Sequence, residues 1–157
     1  MARRRRAEKR EVAPDARYGS KLVTLLVNFT MRKGKKSLAE NIVYSAFDKI
    51  AAERQGTNPL EVFERAVSNA RPRLEVKSRR VGGATYQVPL EISGSRQTAL
   101  ALRWLVSFSH ARKGVLMKDA LATEIREASE GQGSCIRKRD EMHKMAQSNK
   151  AFAHFRW

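Results

Sequence analysis

A run of basic residues between positions 71 and 80 is the part of the sequence best suited to binding chemistry. Its members are Arg71, Arg73, Lys77, Arg79 and Arg80. Arginine makes forked hydrogen bonds to phosphate and stacks on nucleobases, so this charge density favours recognition of an RNA backbone and unpaired nucleotides. Lysine and arginine also protect exposed strand edges from aggregation, and an ordinary solvated hairpin edge is the simpler alternative.

Three further basic clusters are spread along the chain. The amino-terminal segment carries Arg3, Arg4, Arg5, Arg6 and Arg10, a short turn carries Arg32, Lys33, Lys35 and Lys36, and a third cluster consists of Arg137, Lys138 and Arg139. Acidic residues concentrate instead in a later segment, as Asp119, Glu124, Glu127 and Glu130. This uneven distribution predicts that the basic clusters face a polyanion and that the acidic segment faces away from it.

Residue types that build catalytic and metal sites do not occur at the spacing that such sites need. The single cysteine, Cys135, is followed by His143, and His110 and His154 are remote, so no zinc-ligand spacing appears. Gly82-Gly83 lacks the pattern of a phosphate-binding glycine loop. The sequence therefore predicts a protein that is not an enzyme and that uses no cofactor or metal ion.

Charge and composition point to a nucleic-acid partner. The 157 residues include 32 Lys and Arg against 16 Asp and Glu, a formal net charge of +16. A compact chain with that charge repels itself, so a polyanionic partner is expected. One cysteine excludes an internal disulfide. Because no apolar run has the length of a membrane span and the basic start lacks the apolar core of a secretory signal, a cytoplasmic location is predicted.

Helical periodicity dominates the chain outside residues 73–92. Apolar residues recur at three- and four-residue spacing, and the predicted helices span about residues 20–31, 37–55, 58–69, 98–113, 115–129 and 134–147. Residues 1–18 are interpreted as a basic arm that orders on meeting its partner, residues 19–150 as the helical domain, and residues 151–157 as a tail. The predicted fold class is mainly α, a six-helix bundle with a protruding two-stranded β-ribbon between helices three and four.

Local signals set the expected start of two helices. Ser37 precedes Glu40 by three residues, as in a capping box, and is predicted to cap the second helix. The buried stripe of that helix is predicted to consist of Leu38, Ile42, Ala46 and Ile50. Asn58-Pro59 is predicted to start the third helix, because asparagine caps helices and proline suits their first turn.

Residues 73–92 alternate instead with the period of a strand. Apolar and polar residues take turns on both sides of Gly82-Gly83, which supplies the positive φ angles of a tight turn. Pro89 lacks an N–H and belongs on a strand edge, so the ribbon is predicted to have two strands alone. A ribbon of that size is marginal in water and must lean on the body or on a partner. The alternation favours packing of Tyr86 beneath the ribbon over stacking on RNA.

Several separate blocks, in order, resemble one family over essentially the full chain. They are RRRRAEKREVAPDARYGSKLV, MRKGKKSLAENIVYSAF, LEVKSRRVGGATYQVPLEI, ALRWLV and HKMAQSNKAFAHFRW. They are similar to the bacterial-type small-subunit ribosomal protein seven (S-seven) family, whose fold is a six-helix bundle with a protruding β-ribbon. Ala70, Arg71 and Cys135 depart from the commoner family residues.

The resemblance implies a non-catalytic role in the small ribosomal subunit. Such proteins bind 16S ribosomal RNA (rRNA) directly and nucleate assembly of the subunit head, the 3′ major domain, near the decoding centre and the exit-site tRNA. The arm, the basic turn, Arg71, Arg73, Lys77 and the cluster at 137–139 would then contact rRNA. Those expected near the tRNA and the mRNA path are Arg79, Arg80, Gly82, Gly83, Lys144 and Trp157. Small-subunit ribosomal proteins nine and eleven would be neighbours, and for Trp157 both RNA stacking and protein packing stay open.

Two other function classes fit parts of the sequence. A DNA-bending architectural protein also pairs a helical body with a basic β-ribbon, but it needs an apolar wedge at the ribbon tip, where Val81-Gly82-Gly83-Ala84 offers only a small one. A metal-dependent nuclease is favoured only by basic charge together with carboxylates.

Overall fold

A computed structural model describes residues 10–53, 56 and 58–155, and the structural statements below concern these residues. Within them the elements are α1 (Lys21–Thr30), α2 (Lys36–Glu53), α3 (Pro59–Ala70), β1 (Leu74–Val81), β2 (Ala84–Glu91), α4 (Gly94–Ala111), α5 (Met117–Ser129), α6 (Gly133–Ser148) and a final 3-10 helix (Lys150–Phe155). The mainly α fold with a β-hairpin between α3 and α4 confirms the prediction.

The hydrophobic core is built around α5. This helix packs against α2, α3, α4 and α6, and it buries Leu121 and Ile125 completely. Phe47 of α2 and Phe63 of α3 are also fully buried, with ring centroids 5.4 Å apart. Burial of each such side chain stabilises the fold by about 1.5–3 kcal/mol. The core therefore depends on contacts between helices that are distant in sequence.

The buried face of α2 differs from the predicted stripe. The residues buried are Ala39, Val43, Ala46, Phe47 and Ile50. Leu38 is instead 54% exposed, and Ile42 is only partly buried. Each residue turns an α-helix by about 100°, so the observed face is rotated from the predicted one toward Phe47, the largest apolar side chain available. The predicted cap is also wrong, because α2 already begins at Lys36 and Ser37 lies inside its first turn.

Other helix boundaries agree in part. Asn58 caps α3 as predicted, since its Oδ1 accepts the Leu60 N–H at 3.0 Å. Helix α4 begins at Gly94, four residues before its predicted start at Thr98, because its first turn lacks the apolar residues that periodicity detects. Helix α5 begins at Met117, which leaves the preceding Val115 and Leu116 in the α4–α5 loop.

The segment before α1 is anchored to the body. The Asp15 carboxylate accepts the backbone N–H groups of Arg17 and Tyr18 at 3.0 Å and the Tyr44 hydroxyl at 2.8 Å. The Arg17 guanidinium pairs with Asp48 at 2.6 Å. The hydrogen bond to Asp15, assisted by burial, raises the pKa of Tyr44 to about 12. The root of the expected arm is thus packed without a partner, whereas residues 1–9 lie outside the described part of the chain.

The ribbon pairs its strands in a register that mixes charged and apolar residues on each face. Val81 pairs with Ala84 across the two-residue turn of Gly82 (φ 57°) and Gly83 (φ 90°). Further along, the pairs include Arg79 with Tyr86 and Lys77 with Val88. Directly opposite residues of an antiparallel pair share a face. The charged residues of β1 therefore lie on the same face as the apolar residues of β2, and neither face of the ribbon is wholly apolar or wholly charged.

Candidate nucleic-acid interface

The basic turn between α1 and α2 presents its cations to solvent. Arg32, Lys33, Lys35 and Lys36 are all exposed. Lys33 (φ 52°) and Gly34 (φ 74°) are both left-handed, and the Lys35 N–H bonds the Arg32 carbonyl at 3.1 Å. A non-glycine residue in this conformation is uncommon and costs about 1–2 kcal/mol. The tight turn concentrates positive charge on a short stretch of backbone, as binding to phosphates requires.

Exposed apolar residues of the α4–α5 loop lie beside this turn. Val115 is 51% and Leu116 is 66% exposed, and Val115 lines an open groove of about 400 Å³ together with Arg32, Lys33 and Leu38. Sequence reasoning missed this loop by assigning Val115 to a helix. The available signal was the run Val115-Leu116-Met117 directly after Gly114, because consecutive exposed apolar residues mark an interaction surface.

The ribbon presents its basic residues near the tip and is anchored at its base. Lys77, Arg79 and Arg80 are exposed. At the base, the nearly buried Glu75 carboxylate accepts from Arg96 Nε of α4 at 2.8 Å and lies 3.5 Å from Lys77 Nζ. Val88 is fully buried. The base is therefore fixed to α4. Within the described residues, Arg79 and Arg80 of the tip form no ion pair, and Lys77 pairs only with Glu75 of its own strand.

An aromatic cluster joins the ribbon to the 3-10 helix. The Tyr86 ring centroid lies 5.2 Å from that of Phe152 and 5.1 Å from that of Phe155. His154 and Phe155 are in contact, with centroids 4.0 Å apart. Packing of Tyr86 on protein confirms the preference drawn from its alternation, although its partner is the tail of the chain. Sequence reasoning did not foresee this ribbon–tail contact.

The cluster at 137–139 does not form one surface. Arg137 is exposed, Lys138 pairs with Glu141 at 3.2 Å, and Arg139 donates to the Asn69 carbonyl of α3. Successive helical residues point about 100° apart, which accounts for the divergence. Lys144 is exposed on α6. Arg139 instead joins Arg71 and Arg73 around a pocket of about 460 Å³ at the root of the ribbon.

Three acidic residues of α5 pair with cations or backbone groups of other elements. Glu124 is fully buried and accepts from Arg112 Nη2 at 2.8 Å and from the Cys135 N–H at 3.0 Å. Glu127 bonds the same guanidinium at 2.6 Å. Asp119 pairs with Lys49 of α2 at 3.0 Å. Tertiary contacts thus bring cations of other elements to these three residues, and the position of this helix relative to a polyanion stays a prediction.

Comparison with known proteins decides the family. The family model described as ribosomal protein S7p/S5e matches residues 2–150 of the chain. The chain belongs to this family. It is therefore a ribosomal protein, a structural constituent of the ribosome, and the resemblance drawn from its sequence is confirmed.

Relatives support membership over the full length. The chain is 57% identical to the small ribosomal subunit protein uS7 of Akkermansia muciniphila and 57% identical to that of Arthrospira platensis. It is 54% identical to the protein of the same name from Francisella tularensis subsp. holarctica. Each comparison covers 157 residues and 100% of both chains.

Several predicted site residues of this S7p/S5e chain are not described. Arg3, Arg4, Arg5, Arg6 and Trp157 lie outside the described residues, whereas Arg10 lies within them and is exposed.

In the described ranges no group of three or more His, Cys, Asp or Glu residues is placed to hold a metal ion. Burial raises the pKa of Cys135 to about 12, so its thiol stays protonated at neutral pH. None of the helices in these ranges combines the length and apolarity that crossing a membrane requires.

Proposed function

We propose that the chain is a structural constituent of the small ribosomal subunit that binds 16S rRNA directly and nucleates assembly of the head, the 3′ major domain. The observation that carries this proposal is that, in a member of the S7p/S5e family, acidic residues are paired within the protein while basic residues stay exposed. Asp48, Glu75, Asp119, Glu124 and Glu127 each pair with a cation of the protein. The excess cations are left exposed on the basic turn and the ribbon tip.

Recognition by charge and shape suits these two surfaces. RNA helices hide base edges in a deep, narrow groove, so a primary binder reads phosphates, junction shape and splayed bases. The exposed turn offers four cations within five residues, and the adjacent Val115 and Leu116 offer apolar contact area for an unstacked base. We infer that the groove between them is a principal rRNA contact.

The ribbon suits a second role near the mRNA path. Its anchored base and exposed tip place Arg79 and Arg80 away from the helical body, beside the Gly82-Gly83 turn. In the proposed setting at the subunit interface near the decoding centre, the tip lies near exit-site tRNA. Lys144 and Trp157 belong to the same proposed surface. The proposed protein neighbours are small-subunit ribosomal proteins nine and eleven. The proposed compartment is the cytoplasm.

Competition between RNA and DNA tests the proposal. Purified chain is bound to a labelled transcript of the 3′ major domain and competed with unlabelled transcript or with duplex DNA of equal phosphate number. We expect the duplex to displace the transcript only at about a thousand-fold higher concentration, the usual ratio of specific to non-specific binding. Equal competition would contradict the proposal, and so would specific cleavage of the RNA in Mg²⁺.

The DNA-bending alternative gains no support from the ribbon tip. Val81 and Ala84 pair directly across the two glycines, so no large apolar side chain projects from the turn. Insertion between base pairs requires such a wedge. The geometry therefore favours a ribbon that contacts backbone phosphates and unpaired bases.

A further inference from the structure

We propose that the pocket at the root of the ribbon, lined by Arg71, Arg73 and Arg139, is a binding site for a phosphate group of an RNA backbone. The choice of RNA as the source of that phosphate rests on the proposed function. The anion chemistry of the pocket is independent of it and is tested separately.

The pocket lies where α3, β1 and α6 meet. It has a volume of about 460 Å³, and Ser68, Asn69, Asp140 and His143 complete its lining. Three arginines against one aspartate give the lining a positive excess. Residues from elements far apart in the chain supply these charges, so the site exists only in the folded protein.

Arg71 carries the feature that points most directly to a ligand. In the described part of the chain, its Nε is the one buried side-chain nitrogen or oxygen that has no hydrogen-bond partner. A buried N–H left without an acceptor destabilises a fold, and buried polar groups almost always have partners. The main chain at Arg71 is held, since its N–H bonds the Val67 carbonyl at 3.1 Å and Pro72 is buried. A phosphate bound in the pocket that Arg71 lines would supply the acceptor that Nε lacks once the side chain shifts to expose that N–H.

The other side of the pocket is fixed by hydrogen bonds within the protein. Arg139 donates to the Asn69 carbonyl and pairs with Asp140 at 2.6 Å. The Asn69 side chain in turn donates to the carbonyls of Ala128 and Ser129 at the end of α5, at 3.0 and 3.1 Å. A guanidinium held in this way loses little freedom on binding an anion, which favours affinity.

His143 connects the pocket to the ribbon. Its Nε2 accepts the Arg73 N–H at 2.9 Å, directly before β1, so the ring is neutral with its proton on Nδ1. Burial lowers the pKa of His143, and the charges of Arg139 and Arg73 lower it further, whereas Asp140 opposes them. A positive field that disfavours a proton favours an anion in the same place. A phosphate bound there would tie α3, the start of β1 and α6 together and thereby hold the ribbon at its root.

Titration with inorganic phosphate tests the anion site. The Arg71 Nε–H resonance is followed by NMR while phosphate replaces chloride at constant ionic strength. We expect a saturable shift in the wild-type chain. Arg73→Gln should weaken phosphate affinity about 10-fold, as loss of one hydrogen bond to a charged group implies. This variant keeps the backbone N–H that His143 accepts, and its thermal unfolding curve checks the fold.

Arg65→Gln is the matched control for that titration. Arg65 is exposed on the same α3 helix, and it lines a different pocket that also contains Glu53, Glu61 and Glu130. The control should bind phosphate like the wild type. A linear, unsaturable shift, or equal affinities in the Arg73→Gln and Arg65→Gln variants, would overturn the site, because either result describes general screening.

RNA binding by Arg71→Gln tests the source of the phosphate. Loss of one phosphate contact should lower the slope of log affinity against log salt by about 0.7–0.9, whereas Arg65→Gln should leave it unchanged. An unchanged slope in Arg71→Gln would refute an RNA phosphate in the pocket. If the wild-type chain binds inorganic phosphate but no rRNA transcript, the proposed function fails and the anion site stands.

Discussion

Glu124 shows at the scale of one residue how an ionisable group is accommodated in this core. Its side chain has no exposed surface, yet both carboxylate oxygens have donors, Arg112 Nη2 and the Cys135 N–H. The donors belong to the end of α4 and the start of α6, so a single carboxylate joins three helices. Glu127 holds the same guanidinium at the edge of the core, where its side chain is 31% exposed.

Replacement of Glu124 should be far more costly than replacement of Glu127. Glu124→Ala leaves the buried Cys135 N–H without its acceptor, which costs about 1–3 kcal/mol in the free energy of unfolding, and the cavity left in the core adds to that loss, although Arg112 keeps Glu127. Glu127→Ala should lose about 1 kcal/mol or less, because the pair is near solvent and Arg112 keeps Glu124. Urea unfolding of both variants measures the difference. Similar midpoints would show that the buried carboxylate is not a principal link between the helices.

At the scale of one element, the ribbon is held at two places that have different chemistry. Its base is tied to α4 by the ion pair of Glu75 with Arg96, and its second strand is covered by the aromatic side chains of the 3-10 helix. An isolated two-stranded ribbon is marginal in water. The tail of the chain therefore provides part of the support that a ribbon of this size needs from the body or from a partner.

Removal of the Tyr86 ring should loosen the ribbon and the tail together. Each aromatic pair contributes about 0.5–1.5 kcal/mol beyond its buried area, so Tyr86→Ala should speed amide hydrogen exchange in both strands and in residues 150–155. Exchange in α1 to α5 should stay unchanged. Thr85→Ala, an exposed change on the opposite face of the same strand, is the control. If Tyr86→Ala and Thr85→Ala have equal exchange rates, the tail does not support the ribbon.

At the scale of the whole molecule, charge is sorted by the fold. The net charge of +16 is a property of composition. The placement of that charge depends on the fold. Acidic residues of α2, β1 and α5 pair with cations of the protein, whereas the basic turn and the ribbon tip keep exposed cations. Such a distribution gives binding to a polyanion that weakens steeply as salt rises.

The basic turn should account for a measurable share of that salt dependence. Lys33→Gln combined with Lys35→Gln removes two proposed phosphate contacts, so the slope of log affinity against log salt should fall by about 0.7–0.9 for each contact. Arg65→Gln again serves as the control and should keep the wild-type slope. Affinity for the rRNA transcript is measured between about 50 and 200 mM salt, where phosphate contacts change the affinity strongly. An unchanged slope in the double variant would contradict a contact between the basic turn and the RNA.

The sequence by itself determined the local structure of this protein. Periods of 3.6 and 2 residues are properties of the chain, so helical and extended segments, the Gly82-Gly83 turn and the Asn58 cap were predicted correctly. The family could also be recognised from the sequence, because matching blocks of residues in the same order can be identified without knowing which residues contact each other. The sequence also showed where basic residues cluster along the chain, but not which of them the fold leaves exposed.

Only the tertiary structure decided which faces meet. The rotation of α2 toward Phe47, the pairing of α5 carboxylates with Arg112 and Lys49, and the hydrogen bond between His143 and Arg73 join residues that are remote in sequence. Such contacts depend on how whole elements pack, and no local period specifies them. The same reason separates Arg137 from Arg139, neighbours in the sequence that the fold directs to solvent and to the pocket at the ribbon root.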